Sequence, residues 1–270
     1  MVGRISAFAV AAVGLGLQSL MFLFAMLSLL HIGTSALLSR FIGAGQMKRA
    51  STGLSTLLQF AFFLSLPLMG FWYFFASNIY VWFGTATEVI RLGEEYVQTL
   101  TWMLPFVFGK LVFVTALNSA GDTKTPMKIK IASIVLNVFL NYLLIFGNHG
   151  FPELGVMGAA VGTVIVNILE LIVYMVLYLR HKTPYIPAWH YSTSLLKRAL
   201  KVGIPASFER SLTFGSFMLF TVIIAQYGTE VLAGYQIGLR VEGLAFMPCI
   251  RFTIASMALM GQGLGAKKPE

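Results

Sequence analysis

Hydrophobic residues run along this chain in long blocks, separated by short polar segments or segments bearing Gly and Pro. A helix needs about 20 apolar residues to cross roughly 30 Å of hydrocarbon. Seven blocks approach or exceed that length: Ala7 to Leu38, Leu54 to Ala76, Tyr96 to Leu117, Ile131 to Phe146, Leu154 to Leu179, Ile204 to Gln226 and Val231 to Leu264. The first and last are longer than one straight span requires, so each is expected to tilt or to extend into a loop. The pattern predicts an all-α membrane protein with about seven transmembrane helices.

Composition supports this reading. Of 270 residues, 57% are hydrophobic and 11% charged, with a mean hydropathy of +0.81, against about 45–50% apolar and about 25% charged in soluble domains. A soluble globular enzyme is excluded, and so is a disordered or nucleic-acid-coating chain, because Phe supplies 23 residues and Asp plus Glu only 10. The net charge of +9 is carried by short basic clusters between the apolar blocks. Loops on one side hold Lys48 and Arg49, then Lys124, Lys128 and Lys130, then Arg180, Lys182, Lys197, Arg198 and Lys201, and finally Lys267 and Lys268; the other side holds only Arg4 and Arg91. The Lys/Arg excess marks the cytoplasmic face, which puts the N-terminus of this chain outside and its C-terminus inside the cytoplasmic (inner) membrane. One cysteine, Cys249, removes any disulfide framework or Cys-rich metal site, and the apolar block from Ala7 runs too far for a cleavable signal peptide.

The chain also matches itself without gaps at an offset of 222 residues. Ala11, Gly16 and Leu17 fall on Ala233, Gly238 and Leu239, while Ala36, Leu37, Gly43 and Ala44 fall on Ala258, Leu259, Gly265 and Ala266. The first and last spans are thus two copies of one element. The two copies are offset by six spans, an even number, so the repeat is parallel, which is a recurrent plan among transporters. The register places one helix before Met1 and four after Glu270, and the chain is expected to be a piece of a twelve-helix transporter.

Several segments carry a more specific likeness. They are Phe41-Ile42-Gly43-Ala44-Gly45, Gly121-Asp122-Thr123-Lys124-Thr125-Pro126, Leu136-Asn137 through Asn141-Tyr142, Gly155-Val156-Met157-Gly158-Ala159-Ala160, Gly203-Ile204-Pro205-Ala206, Tyr227-Gly228-Thr229 and Gly261-Gln262-Gly263-Leu264-Gly265-Ala266. In order and spacing the chain resembles the multidrug and toxic compound extrusion (MATE) family of cation-coupled antiporters. The resemblance implies helices two to eight of twelve, with residues 1–180 in a first lobe, 181–202 as a cytoplasmic linker bearing an amphipathic surface helix over Ser194 to Val202, and 203–270 as the start of a second lobe. It also implies exchange of Na⁺ or H⁺ for an amphipathic organic cation by rocking of two lobes, in a transporter that works as a monomer, with no cofactor beyond the coupling ion and no nucleic-acid partner.

Ionisable groups inside a bilayer cost about 2.5–3.5 kcal/mol each on insertion scales and by default face a cavity or a partner. Within the spans they are Lys110, Glu170, Glu209, Arg210, Arg240, Glu242 and Arg251. Glu209, Arg240 and Glu242 are candidates to line a substrate cavity, or alternatively to dock two helices through a Glu209–Arg240 or Arg210–Glu242 ion pair. In the resembled family the first-half coupling-ion site combines an acid on the first helix, an Asn and an Asp one turn apart on the fifth and a Thr on the sixth. Here Asn137 and Thr163 match, while Asn141 stands where the Asp would be. Without a carboxylate this site takes up no proton. Either coupling has moved to Glu209 or Glu242, or the first half offers neutral ligands to Na⁺; the plain alternative is two Asn side chains bonding between helices.

Pro248, mid-span, is the candidate hinge, and a fixed kink is equally compatible with it. Gly158 and Gly162 form a GxxxG that admits a neighbouring backbone, and His31 reads as a satisfied polar residue. Motifs for enzymes fail: Gly261 to Gly265 ends an apolar helix instead of opening one after a strand, Gly109-Lys110 lacks the upstream Gly of a phosphate loop, and there is no HExxH, GxSxG or metal-binding Cys/His cluster. Two other readings stay open beside antiport. A flippase of lipid-linked saccharides would favour a cationic cavity, to which Arg210, Arg240 and Arg251 are suited, and seven spans also fit a non-transporting remnant.

Overall fold

The computed structural model describes residues 12–16, 20, 23–82, 87–147, 154–187, 189–225 and 229–267. Its elements are α1 (Leu23–Gly43), α2 (Met47–Trp82), α3 (Thr87–Thr101), α4 (Leu104–Ser119), α5 (Lys124–Phe146), α6 (Gly155–Leu179), α7 (Thr193–Ala225) and α8 (Thr229–Gly265), and residues 12–16 are also helical. Lipid offers no partner to a free backbone amide, and a chain this apolar meets that demand by closing its hydrogen bonds inside helices. Among the described residues four helices are long and apolar enough to cross a membrane by length and composition.

Each expected span with described residues falls on a helix, with three differences. The block from Tyr96 to Leu117 is two helices, α3 and α4, meeting at 48°. Pro105 explains the break: it sits in the first turn of α4, where its missing N–H interrupts continuation from α3 yet leaves no unmet bond inside α4. The surface helix expected over Ser194 to Val202 is one element with the next span, since α7 runs unbroken for 33 residues with Pro205 inside it. Most of the expected first span over residues 7–22 lies outside the described residues.

The connection between α6 and α7 is tied down by backbone-directed bonds. The Tyr185 hydroxyl donates to the Ala116 carbonyl at 2.7 Å, and the Ile186 N–H donates to the Ser51 hydroxyl at 2.9 Å. Burial pushes the Tyr185 phenol above its ordinary range, which keeps it a neutral donor. At the start of α5, Asp122 Oδ1 accepts the Thr125 N–H at 3.0 Å, satisfying one of the donors that a helix N-terminus leaves open.

Small residues set the closest packing. Gly158 of α6 lies against the Leu144 carbonyl of α5 so tightly that a Cβ would stand 2.5 Å from its oxygen, and Gly162 lies against the Asn141 side chain. The GxxxG is therefore a helix-packing face. α1 packs on both α7 and α8, with Gly33 against Ala199 and Gly203 against Leu29.

The contact between α1 and α8 has an internal symmetry. A Cβ on Gly43 would overlap the Gln262 backbone, one on Gly265 the Arg40 carbonyl, and one on Gly261 the Ser39 hydroxyl. At the 222-residue offset, Ser39 is the equivalent of Gly261, Arg40 of Gln262 and Gly43 of Gly265. Each contact is thus mirrored by its repeat counterpart, as in a two-fold interface. The two copies meet through the same face, at the ends that carry the basic loops.

Candidate functional site

Two polar regions interrupt the apolar bundle. The first is a cleft between α7 and α8 with a volume of about 490 Å³, within the range of about 300–1,000 Å³ typical of small-molecule sites. Thr213, Ser216 and Phe220 line it from α7, and Tyr235, Leu239 and Glu242 from α8. The Phe220 and Tyr235 rings meet edge to face with centroids 5.8 Å apart. The Thr213 and Ser216 hydroxyls donate to the carbonyls of Glu209 and Leu212 in their own helix, at 3.0 and 2.9 Å, so what they present to the cleft is oxygen lone pairs. One carboxylate among aromatic rings and hydroxyl oxygens suits an organic cation.

Of the three residues expected to line such a cavity, Glu242 does so. Glu209 is exposed one turn before Thr213, outside the lining. Arg240 lies on α8, and its side chain is outside what the structure describes. The Arg210–Glu242 ion pair considered from sequence does not form. Pro248 lies inside α8 without breaking it. His31 Nδ1 is 2.9 Å from the Thr115 hydroxyl, a satisfied polar contact between α1 and α4.

The second region lies between α5 and α6. Asn137 and Asn141 share a face of α5, and the Asn141 amide donates to Asn137 Oδ1 at 3.1 Å. That bond uses one of the two carbonyl oxygens expected to serve an ion. The other, Asn141 Oδ1, is buried beside Gly162 and has no hydrogen-bond partner. Thr163 follows Gly162 on α6, but its hydroxyl donates to the Ala159 carbonyl of its own helix at 2.8 Å. The structure brings the three expected ligands to one neighbourhood without converging their oxygens on a point.

One turn further along α6 is a charged cluster that sequence spacing did not assemble. Lys110 of α4 donates to Glu170 and to Asn167, both on α6. Lys130 of α5 donates to the other carboxylate oxygen of Glu170 at 3.3 Å, and Ser133 also bonds this carboxylate. The Asn167 amide donates to the Thr163 carbonyl at 2.7 Å, joining the cluster to the Thr163 turn. Glu170 is 3% exposed, Lys110 17% and Lys130 61%. Lys110 and Glu170 were visible as charges inside apolar blocks, but they stand 60 residues apart, and nothing local in the sequence pairs them.

The MatE family pattern matches residues 1–143 and 205–270. The chain belongs to the MatE family. Among its relatives, the probable multidrug resistance protein YoeA of Bacillus subtilis (strain 168) is 31% identical over 87% of this chain and 52% of its own length. The probable multidrug resistance protein NorM of Thermotoga maritima is 30% identical over 98% of this chain and 58% of its own length. The chain therefore spans a little over half the length of these MatE relatives. Solved MATE structures share its fold: a complex with MaD3S superposes with a TM-score of 0.90 at 22% identity, covering 99% of this chain and 60% of that one. An outward-facing MATE transporter gives 0.89 at 20% identity, covering 99% and 60%. The family and the apolar helices together make this a multi-pass membrane protein.

Proposed function

We infer that this chain serves a MATE-type antiporter that exports amphipathic organic cations across the cytoplasmic membrane in exchange for Na⁺ or H⁺. The observation that carries this is the cleft between α7 and α8, where the Glu242 carboxylate stands with Phe220, Tyr235 and two hydroxyl oxygens. Flat rings and an adaptable apolar wall bind varied organic molecules, and the single carboxylate selects those that are positive. Glu209 and Arg240, on the same two helices, are further candidates to act on a cationic substrate. The basic end faces the cytoplasm and the N-terminus of the chain faces outside. Asn141, with its unpartnered buried oxygen, is the ligand that the first lobe offers a hard cation, with Asn137 and Thr163 beside it. Pro248 lacks the N–H that would tie it to Leu244, which leaves α8 free to bend there as the two lobes rock. The transporter works as a monomer in the bilayer.

The test is efflux of tetraphenylphosphonium from inverted vesicles of drug-pump-deficient cells, with Na⁺ and pH gradients imposed separately. The chain is expressed alone and, in parallel, together with the remaining helices of a MatE relative. Transport in either form, lost on Glu242→Gln at equal expression, is the expected result. No movement of the dye in either form under either gradient, despite good membrane expression, overturns it and turns attention to anionic lipid-linked saccharides.

A further inference from the structure

We propose that Lys110 and Glu170 are a proton-exchange site of the first lobe, opening to the cytoplasmic face beside Lys130. It deepens the transporter reading and rests on it for the use to which the proton is put, but the site can be tested without transport.

The argument starts from the number of charges. An ion pair that only docks two helices needs one ammonium and one carboxylate. Here two ammonium groups, Lys110 and Lys130, face one carboxylate, Glu170. Lys130 is 61% exposed at the basic end, so its charge is solvated, while Lys110 and Glu170 are the charges held in the interior. Loss of one proton from Lys110 leaves Glu170 with its solvated partner Lys130, at 3.3 Å, in place. Both protonation states therefore have their polar atoms satisfied: Lys110 as an ammonium donates to Glu170 and Asn167, and as a neutral amine it still donates to either.

Geometry supplies the route. At 1.5 Å per residue Lys130 lies about 9 Å from the start of α5 at the basic end, while Glu170 and Lys110 lie about 15 Å in from Arg180 and from Ser119. Lys130 is mostly exposed and Glu170 almost wholly buried, so the three form a step from water to interior. The ammonium proton of Lys110 passes to Glu170 Oε2, which forms a neutral carboxyl; that carboxyl turns about its Cγ–Cδ bond to bring the protonated oxygen to the side of Lys130 and water, and gives the proton up there as hydronium, with uptake in reverse. The positive charge of Lys130 favours the release. On the other side Asn167 links Lys110 to the carbonyl of Thr163, next to Gly162 and the unpartnered oxygen of Asn141. A cation held at Asn141 and a proton held at Lys110 are thus two positive charges on one polar track, and each disfavours the other. The ionisable groups that bear on Glu170 are Lys110 from α4, Lys130 from α5 and Tyr174 from its own helix. Among the described residues α3, which also packs on α6, contributes no ion pair to it.

Lys110→Arg is the variant that separates a proton site from a structural pin. Arginine keeps the charge and the donors to Glu170 and Asn167 but does not give up its proton in a protein. The full chain in lipid nanodiscs, in lightly buffered medium with a pH indicator, is mixed with NaCl, whose Na⁺ is the cation placed at Asn141. We expect about one proton released per bound Na⁺ in the wild type, with none released by Lys110→Arg or Glu170→Gln although both bind Na⁺. Equal release from Lys110→Arg and wild type, or none from a wild type that binds, overturns the proposal. Should the wild type not bind Na⁺, the reading of Asn141 as a cation ligand fails and the site is read directly by ¹⁵N NMR of labelled lysine, with the Lys110 signal assigned by its absence in Lys110→Arg. A signal that changes from ammonium to amine within the pH range where the chain stays folded, and moves on Glu170→Gln, supports the site. A signal that remains ammonium throughout overturns it.

Discussion

Lys110 occupies its place in α4 because Glu170 and Asn167 accept from it, and removing either charged partner leaves the other in a medium that cannot solvate it. Glu170→Leu should therefore cost about 3–5 kcal/mol, the penalty for breaking a buried ion pair, and the double replacement Lys110→Met with Glu170→Leu should recover most of that. Denaturant titrations in mild detergent measure the cycle; a double variant no more stable than Glu170→Leu alone would refute the pairing. The contact between His31 and Thr115 is a smaller matter. With one neutral hydrogen bond at 2.9 Å at stake, Thr115→Val should cost about 1 kcal/mol in the same assay. Both contacts illustrate what the residues alone disclose. That Lys110, Glu170 and His31 needed partners was legible, because each interrupts an apolar block. Which partner each found was not, since His31 and Thr115 lie 84 residues apart and Lys110 and Glu170 lie 60 apart.

Helix by helix, the boundaries followed from local chemistry, and the continuity between helices did not. Pro105 divides one expected span because it begins a helix, whereas Pro67, Pro205 and Pro248 lie inside helices that continue through them. A proline inside a helix costs a hydrogen bond, and the neighbouring helices decide whether the element bends or parts. Gly158 and Gly162 are the reverse case, since their spacing announced a packing face and the structure supplied α5 as the partner. Gly158→Leu should push α6 off the Leu144 backbone, which has no side-chain freedom with which to yield. We expect a loss of about 1–3 kcal/mol, read as a lowered thermal midpoint in detergent, with Gly70→Leu in α2, which has open space around it, affecting it far less.

Taken whole, the molecule is organised around the reciprocal contact between α1 and α8. Gly43, Gly261 and Gly265 allow two repeat-related helices to touch backbone to backbone at the basic end, and Gln262 adds a bond to the Ser119 carbonyl at 2.7 Å. A rocking transporter must part this contact once in each cycle. Gly261→Val, whose side chain would overlap Ser39, should hold the contact open and stop tetraphenylphosphonium efflux at normal membrane expression. Undiminished efflux from Gly261→Val would show that the cycle does not need this contact to close. What the sequence determined by itself was the class of protein, the places of its helices, the parallel repeat and the family motifs, because burial in lipid acts on composition and period and both are local properties of a chain. The tertiary structure alone decided that the repeats meet through equivalent glycines, that Glu242 and not Glu209 enters the cleft, and that Lys110 and Lys130 converge on Glu170. Each of those depends on the depth and rotation of one helix against another, and these are set by packing between segments far apart in the chain.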